Sequence, residues 1–388
     1  MTGRRPSRAN PGWQQPLWLL LRLILFGIGL GVLSGTALKL LAPQVRQQTV
    51  PELPWLSDLI ALTGDDQPEE KETTATTGSS PSEEQPIAPA LLPGQFLPKQ
   101  EITALSQRWV QLAAAQADLE ASAFLLVLDD GRYAQMQADR AMPAASSIKT
   151  PILLVSLEQI DRGDLRWNEP LTLTKPVVGG GAGWMASKPL GTRFPTYEVA
   201  TEMIRISDNT ATNLLIERAG GKDRLNSRFQ ALGLTATKVN NWLPDLDGTN
   251  TTSARDLSRA IALVDIGDTL SLRTRDLFRD VMGTSVTNTL IPKGLMQGLG
   301  GEQGRPDPAL SRKGYRVYNK TGDIGIAYAD AGLIELPDGR RAVAGFLVKG
   351  PFNDPRSTSL IRAMAAAMAP HLKPAPSPPR DASAQPSP

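Results

Sequence analysis

The chain has 388 residues, with 41 Lys and Arg against 39 Asp and Glu, a formal charge of +2, and 41% hydrophobic residues. That balance argues for neither nucleic acid nor an acidic partner, and the length allows one large domain plus appendages. Cysteine is absent and His371, beside Pro370, is the single histidine. Disulfides, thiol nucleophiles and His-rich metal sites are thereby excluded, and a serine hydrolase built on this chain has to use lysine as its base.

Residues 1–16 contain Arg4, Arg5 and Arg8 and precede an apolar run, 17–38, whose only charge is Arg22. As a helix the run would span ~33 Å, enough for a hydrocarbon core. The positive flank predicts a cytoplasmic N-terminus and a signal-anchor that holds an exported domain at the cytoplasmic membrane. Cleavage near Gly35-Thr36-Ala37 is the competing expectation. Residues 39–98 are read as a disordered linker, since 65–86 are rich in Glu, Thr, Ser and Pro, and residues 374–388 as a disordered tail.

The globular signals lie in residues 99–373. A helical pattern covers 102–119, followed by an apolar strand at 123–128, the turn Asp130-Gly131 and a returning strand at 132–137. Pro151 is tolerated only in a first helical turn, which predicts a helix start near Ser147. Ser146 then sits on the helix lip, where free N–H groups favour developing negative charge, and Lys149 shares its face. In the helical middle, Val199, Met203 and Ile206 mark one apolar face, and Leu214 to Ile216 another before Gly220-Gly221. Residues 315–321, 327–336 and 341–348 read as strands, the last two joined at Pro337-Asp338-Gly339, and an amphipathic helix covers 358–368. The expected fold class is α/β: an antiparallel sheet flanked by helices, with an inserted all-helical lobe, preceded by one transmembrane helix. A cleft between two such lobes is where a small substrate usually binds.

Alone, Ser146 and Lys149 read better as a capping serine and a solvated lysine. Ser207-Asp208-Asn209 alone reads as an N-cap, and Lys320-Thr321-Gly322 as a strand end. In this order the three motifs resemble class A β-lactamases and the low-molecular-mass penicillin-binding proteins of the same fold, over roughly residues 100–372. The resemblance implies an acyl-serine hydrolase without metal or cofactor. Ser146 would be the nucleophile, Lys149 its base, Ser207 the proton donor to the leaving nitrogen, and Asn209 the residue that orients Lys149 and bonds the substrate amide. Lys320, in the catalytic set, and Thr321 would face the substrate carboxylate. Gly322 would leave room for substrate backbone, and the N–H groups of Ser146 and Asp323 would hold the oxyanion. Residues 178–184 resemble the loop overlooking the cleft, with Trp184 either walling it or simply packed. Asp208 is read as structural, tying down its own loop.

Two departures from the family pattern bear on activity. The glutamate that helps water hydrolyse the acyl-enzyme in β-lactamases is matched by Leu243, in a register fixed by Trp242 and Pro244, and a nearby asparagine is matched by Asp247. Leucine cannot activate water. The arginine that many β-lactamases use for the substrate carboxylate is matched by Ala329. The expectation is a membrane-anchored penicillin-binding D,D-peptidase of the D-Ala-D-Ala carboxypeptidase type, with its catalytic domain on the periplasmic side. Its ligands would be peptidoglycan stem peptides and β-lactams. The alternatives are a β-lactamase in which Asp245 or Asp247 replaces the glutamate, and a non-catalytic β-lactam sensor or wall-binding module.

Overall fold

An uninterrupted apolar strand has to be covered on both faces, and this requirement organises the domain. The computed structural model describes residues 96–267, 269–300 and 307–374, all within the unit Pro86–Pro388. The expected membrane helix at 17–38 lies outside the described residues, as do 39–95 of the linker and 375–388 of the tail. Among the described residues no helix is long and apolar enough to cross a membrane.

The strands are β1 (Gln100–Glu101), β2 (Glu120–Val127), β3 (Arg132–Met136), β4 (Met142–Pro143), β5 (Pro170–Thr172), β6 (Arg193–Pro195), β7 (Thr251–Thr252), β8 (Arg316–Asp323), β9 (Ala327–Glu335) and β10 (Arg341–Lys349). Six of them form one sheet in the order β1-β3-β2-β10-β9-β8, antiparallel except where β1 meets β3. The helices are α1 (Thr103–Ala114), α2 (Lys149–Asp161), α3 (Thr196–Arg205), α4 (Asn209–Arg218), α5 (Gly221–Ala231), α6 (Ala254–Ile266), α7 (Leu272–Gly283), α8 (Ile291–Gly298), α9 (Asp307–Arg312) and α10 (Pro355–Met368).

Alternation along the strands divides the interior into two cores. Phe124, Leu126, Leu333 and Leu347 join the core under α2, α4 and α6. Leu125, Val127, Ile334 and Phe346 join a second core under α1, α8 and α10. The first core continues into the helical lobe around α2, where every residue from Lys149 to Gln159 is buried. On the other face α8 and α10 touch backbone to backbone. A Cβ on Gly294 would lie 2.5 Å from Arg362 O, and one on Gly298 would collide with Ala366 O.

The expected strands match to within a few residues. The first helix, expected to run to 119, ends at Ala114, because the chain needs the last turn to reverse into β2. The helix after Ser146 begins at Lys149 rather than Ser147, since a 3-10 turn, Ala145–Ile148, precedes it.

Candidate active site

Ser146 lies in that 3-10 turn, next to Ala145, whose φ of 46° is left-handed. Such a conformation costs an alanine about 1–3 kcal/mol and persists only where the surroundings impose it. Here β8 imposes it. A Cβ on Gly322 would stand 2.9 Å from Ala145 Cβ and from the backbone nitrogens of Ser146 and Ser147. Gly322 therefore serves the packing of the serine turn. Ser147 is buried and donates its hydroxyl to Ala144 O at 2.6 Å, whereas Ser146 remains partly exposed at the cleft.

Lys149 is fully buried one turn further on. Its Nζ lies 3.0 Å from Ser146 Oγ, 2.8 Å from Ser207 Oγ, 2.7 Å from Ser207 O and 2.9 Å from Asn209 Oδ1. Burial first, and then the charge of Lys320, hold its pKa well below the usual lysine range, against the opposing pull of Asp208. A neutral amine can accept the Ser146 proton through its lone pair, and the Ser207 hydroxyl is placed to pass a proton onward.

Ser207 also has a left-handed backbone, φ 63°. Asp208 beside it is buried and acts as the tie expected of it, accepting from Trp184 N at 2.7 Å, Met185 N at 2.9 Å and, as N-cap of α4, Ala211 N at 2.9 Å. Asn209 donates to Gly180 O at 2.8 Å while it accepts from Lys149, so this asparagine joins the glycine-rich loop to the base. Trp184 is a packed ring and does not line the cleft. Its Nε1 donates to Glu202 at 2.9 Å, and its edge meets Phe194 at 5.7 Å between centroids.

A cleft of ≈ 270 Å³ opens onto Ser146, Ser207, Asn209, Thr321, Asp323 and Leu243. Lys320 lies behind its wall, buried, with Nζ donating to Thr321 O at 2.7 Å and its pKa brought down by burial to about 8. No arginine or lysine is among the described residues that line the cleft, and Ala329, at the place of the absent arginine, is buried. The wall is completed by Thr287, which accepts from Thr321 Oγ1 at 2.8 Å. No motif pointed to Thr287, because it belongs to the irregular stretch between α7 and α8.

Leu243 is 5% exposed and lines the cleft with Ser146. Asn213 holds its backbone from both sides, accepting from Leu243 N at 2.9 Å and donating to Leu243 O at 2.8 Å. Asn213 was not among the expected site residues, although its place one turn after Asn209 on α4 was a usable signal. Asp245 also lines the cleft, but both its oxygens are engaged, by Thr249 Oγ1 at 2.8 Å and Asn250 N at 2.6 Å. Asp247 is exposed and outside the lining. His371 sits in the 3-10 turn Ala369–His371 after α10 and is not part of the cleft. Among the described residues no group of three or more His, Cys, Asp or Glu could hold a metal ion.

Comparison with known proteins places this geometry. The family model described as Beta-lactamase enzyme family matches residues 99–372. A β-lactamase of Bacillus licheniformis is 27% identical over 241 residues, covering 60% of this chain and 75% of its own length. One from Streptomyces albus G is 28% identical over 169 residues, covering 41% of this chain and 54% of its own length. The solved structure of PBP-A is 40% identical, with a TM-score of 0.65, covering 71% of this chain and 98% of that one. A leucine-to-glutamate mutant of PBP-A has been solved as its acyl-enzyme with penicillin G. A serine hydrolase with Ser146 on a helix lip and a buried lysine beside it, this chain belongs to the β-lactamase enzyme family.

Proposed function

We propose that the chain is a penicillin-reactive serine D,D-peptidase of carboxypeptidase type, acting on the D-Ala-D-Ala ends of cell-wall stem peptides. The observation that carries this reading is Leu243: the groups for acylation are assembled, while the side chain over the cleft beside Ser146 is apolar and held in place.

In the proposed sequence Lys149 Nζ takes the Ser146 proton, and Oγ attacks the carbonyl carbon of the scissile bond. The oxyanion is held by the N–H groups of Ser146 and Asp323, a donor type that contributes about 3–4 kcal/mol each in related chemistry. Collapse breaks the C–N bond. The proton passes from Lys149 through Ser207 Oγ to the leaving nitrogen, leaving an ester on Ser146 and a free amine. Water then cleaves the ester to an acid and regenerates the hydroxyl. With a β-lactam the leaving amine stays tethered to the ester, and loss of a positioned base slows its hydrolysis by roughly 10²–10⁴.

The second reading, a β-lactamase using Asp245 or Asp247, is favoured by Asp245 facing the cleft. Against it stand the two hydrogen bonds that bind Asp245 into its own loop and the exposure of Asp247. A sensor would not need a complete path to the leaving nitrogen. The proposal includes an exported domain held at the cytoplasmic membrane by residues 17–38, on the strength of the arginines before them.

Mass spectrometry of the chain with benzylpenicillin over hours tests the reading. A persistent penicilloyl adduct on Ser146, absent in Ser146→Ala, is expected. Rapid return to free enzyme would establish the β-lactamase instead. Ser146→Ala leaves Lys149 three acceptors, so the fold should lose no more than about 1 kcal/mol.

A further inference from the structure

Behind the cleft wall stands a buried carboxylate that none of the steps above uses. Asp330 on β9 is fully buried and lies opposite Thr321 in the β8–β9 register. A carboxylate in such a place needs donors. Asn319 Nδ2 reaches its two oxygens at 2.9 and 3.1 Å, and the N–H of Ile291, at the start of α8, donates at 2.8 Å. The same Asn319 amide donates to Thr287 O at 2.9 Å. Thr287 Oγ1 accepts from Thr321 Oγ1, and both threonines line the cleft. Hydrogen bonds thus tie Asp330 through Asn319 to the Thr287 backbone, and the Thr287 side chain in turn meets the Thr321 hydroxyl at the cleft.

Those hydroxyls carry unusual weight in this chain. With no arginine or lysine among the described residues of the lining, an anionic group entering the cleft meets Thr321 and Thr287, with the charge of Lys320 behind them. We propose that Asp330 is a positioning residue for carboxylate recognition: through Asn319 it fixes the Thr287 segment, and with Lys320 it sets how well the wall accepts a substrate bearing a free carboxylate. The proposal rests on the D,D-peptidase reading.

The charges are consistent with it. Burial lowers Lys320 to about 8, and Asp330 is the neighbour that opposes the fall. Burial raises Asp330 to about 7, against the pull of Asn319, the Ile291 N–H and Lys320. Lys149 is the other titratable group that Lys320 faces. Lys320 is charged below its pKa, so its help to an anionic substrate is lost as pH rises through about 8. Removing Asp330 moves that loss to lower pH.

The test compares acylation of the full chain by benzylpenicillin and by its methyl ester, which differ only in the carboxylate. Asp330→Asn should slow acylation by benzylpenicillin on the order of 10- to 100-fold, the loss of one or two hydrogen bonds to a charge, and move its alkaline limb to lower pH. Acylation by the methyl ester should change by no more than about threefold, well under 1 kcal/mol. Asn319→Ala, which cuts these bonds but keeps the carboxylate, should show the same selectivity between donors, and it carries the test if Asp330→Asn does not fold. Equal losses with both donors, or no loss with either, would overturn the positioning role. A wild-type chain that reacts with neither donor would sink the D,D-peptidase reading itself, and this proposal with it.

Discussion

Leu243 is held by its backbone as well as by its buried side chain, since both its N–H and its carbonyl are bonded to the Asn213 amide. A different side chain can therefore enter the cleft at the same place. Leu243→Glu should put a carboxylate near Lys149 and speed release of the penicilloyl group by roughly one to three orders of magnitude, the range of a positioned base. The gain should stay below that of a natural β-lactamase, because the short loop and Asp247 would hold the new carboxylate imprecisely. Intact-mass time courses of the adduct check this; an unchanged lifetime in a folded variant would mean the side chain does not reach the ester. Ser146, Lys149, Ser207 and Lys320 could be read from the sequence because each sits in a short motif with local structure of its own. Thr287 and Asp330 could not: Thr287 meets β8 from an irregular stretch, and Asp330 interrupts the apolar run of β9 without belonging to any motif. Trp184 stayed ambiguous because a glycine-rich loop does not say which way its aromatic ring turns.

The pairing of α8 with α10 is the clearest case of an element whose packing no pattern announced. No motif or period in the sequence pairs these helices, yet α8 reaches α10 through two glycines in contact with backbone. Gly294→Ala would place a methyl group 2.5 Å from Arg362 O and 2.7 Å from Ala365 Cβ. Overpacking of this kind should destabilise the domain by about 1–3 kcal/mol, read as a lower denaturant midpoint. Gly283→Ala at the end of α7 is the control. Its methyl group meets nothing closer than Tyr318 at 3.6 Å, so the better helix former should leave stability unchanged or raise it by up to about 1 kcal/mol. Equal effects at the two sites would mean that α8 and α10 separate more easily than their contact implies.

For the whole molecule, the order of sheet, helical lobe and returning sheet was legible, because strand and helix periods differ and the switches between them are marked by Gly and Pro. The parallel join of β1 to β3 was not, being only two residue pairs long. The membrane expectation calls for a topology measurement: a reporter fused after Asp65 should behave as exported, and the chain should stay with membranes after a high-salt wash. Recovery of a shorter soluble form beginning near Leu38 would replace the anchor by a cleaved leader. The loop bearing Leu243 is hung from Asn213 and closed by Asn250, which accepts from Asn240 N at 2.7 Å and Asn241 N at 2.8 Å. Lys149 sits on α2, Asn209 on α4 and Lys320 on β8, so this loop and the cleft residues share α4 as a support. Because Asn213 bonds only the backbone of Leu243, the side chain at this position can change while those two bonds stay in place. No single nucleotide change turns a leucine codon into a glutamate codon, and the route has to pass through an intermediate residue. Valine is one, and as an apolar residue it can occupy this buried position with a loss of roughly 1 kcal/mol, which leaves a two-step genetic path to a glutamate at this position open.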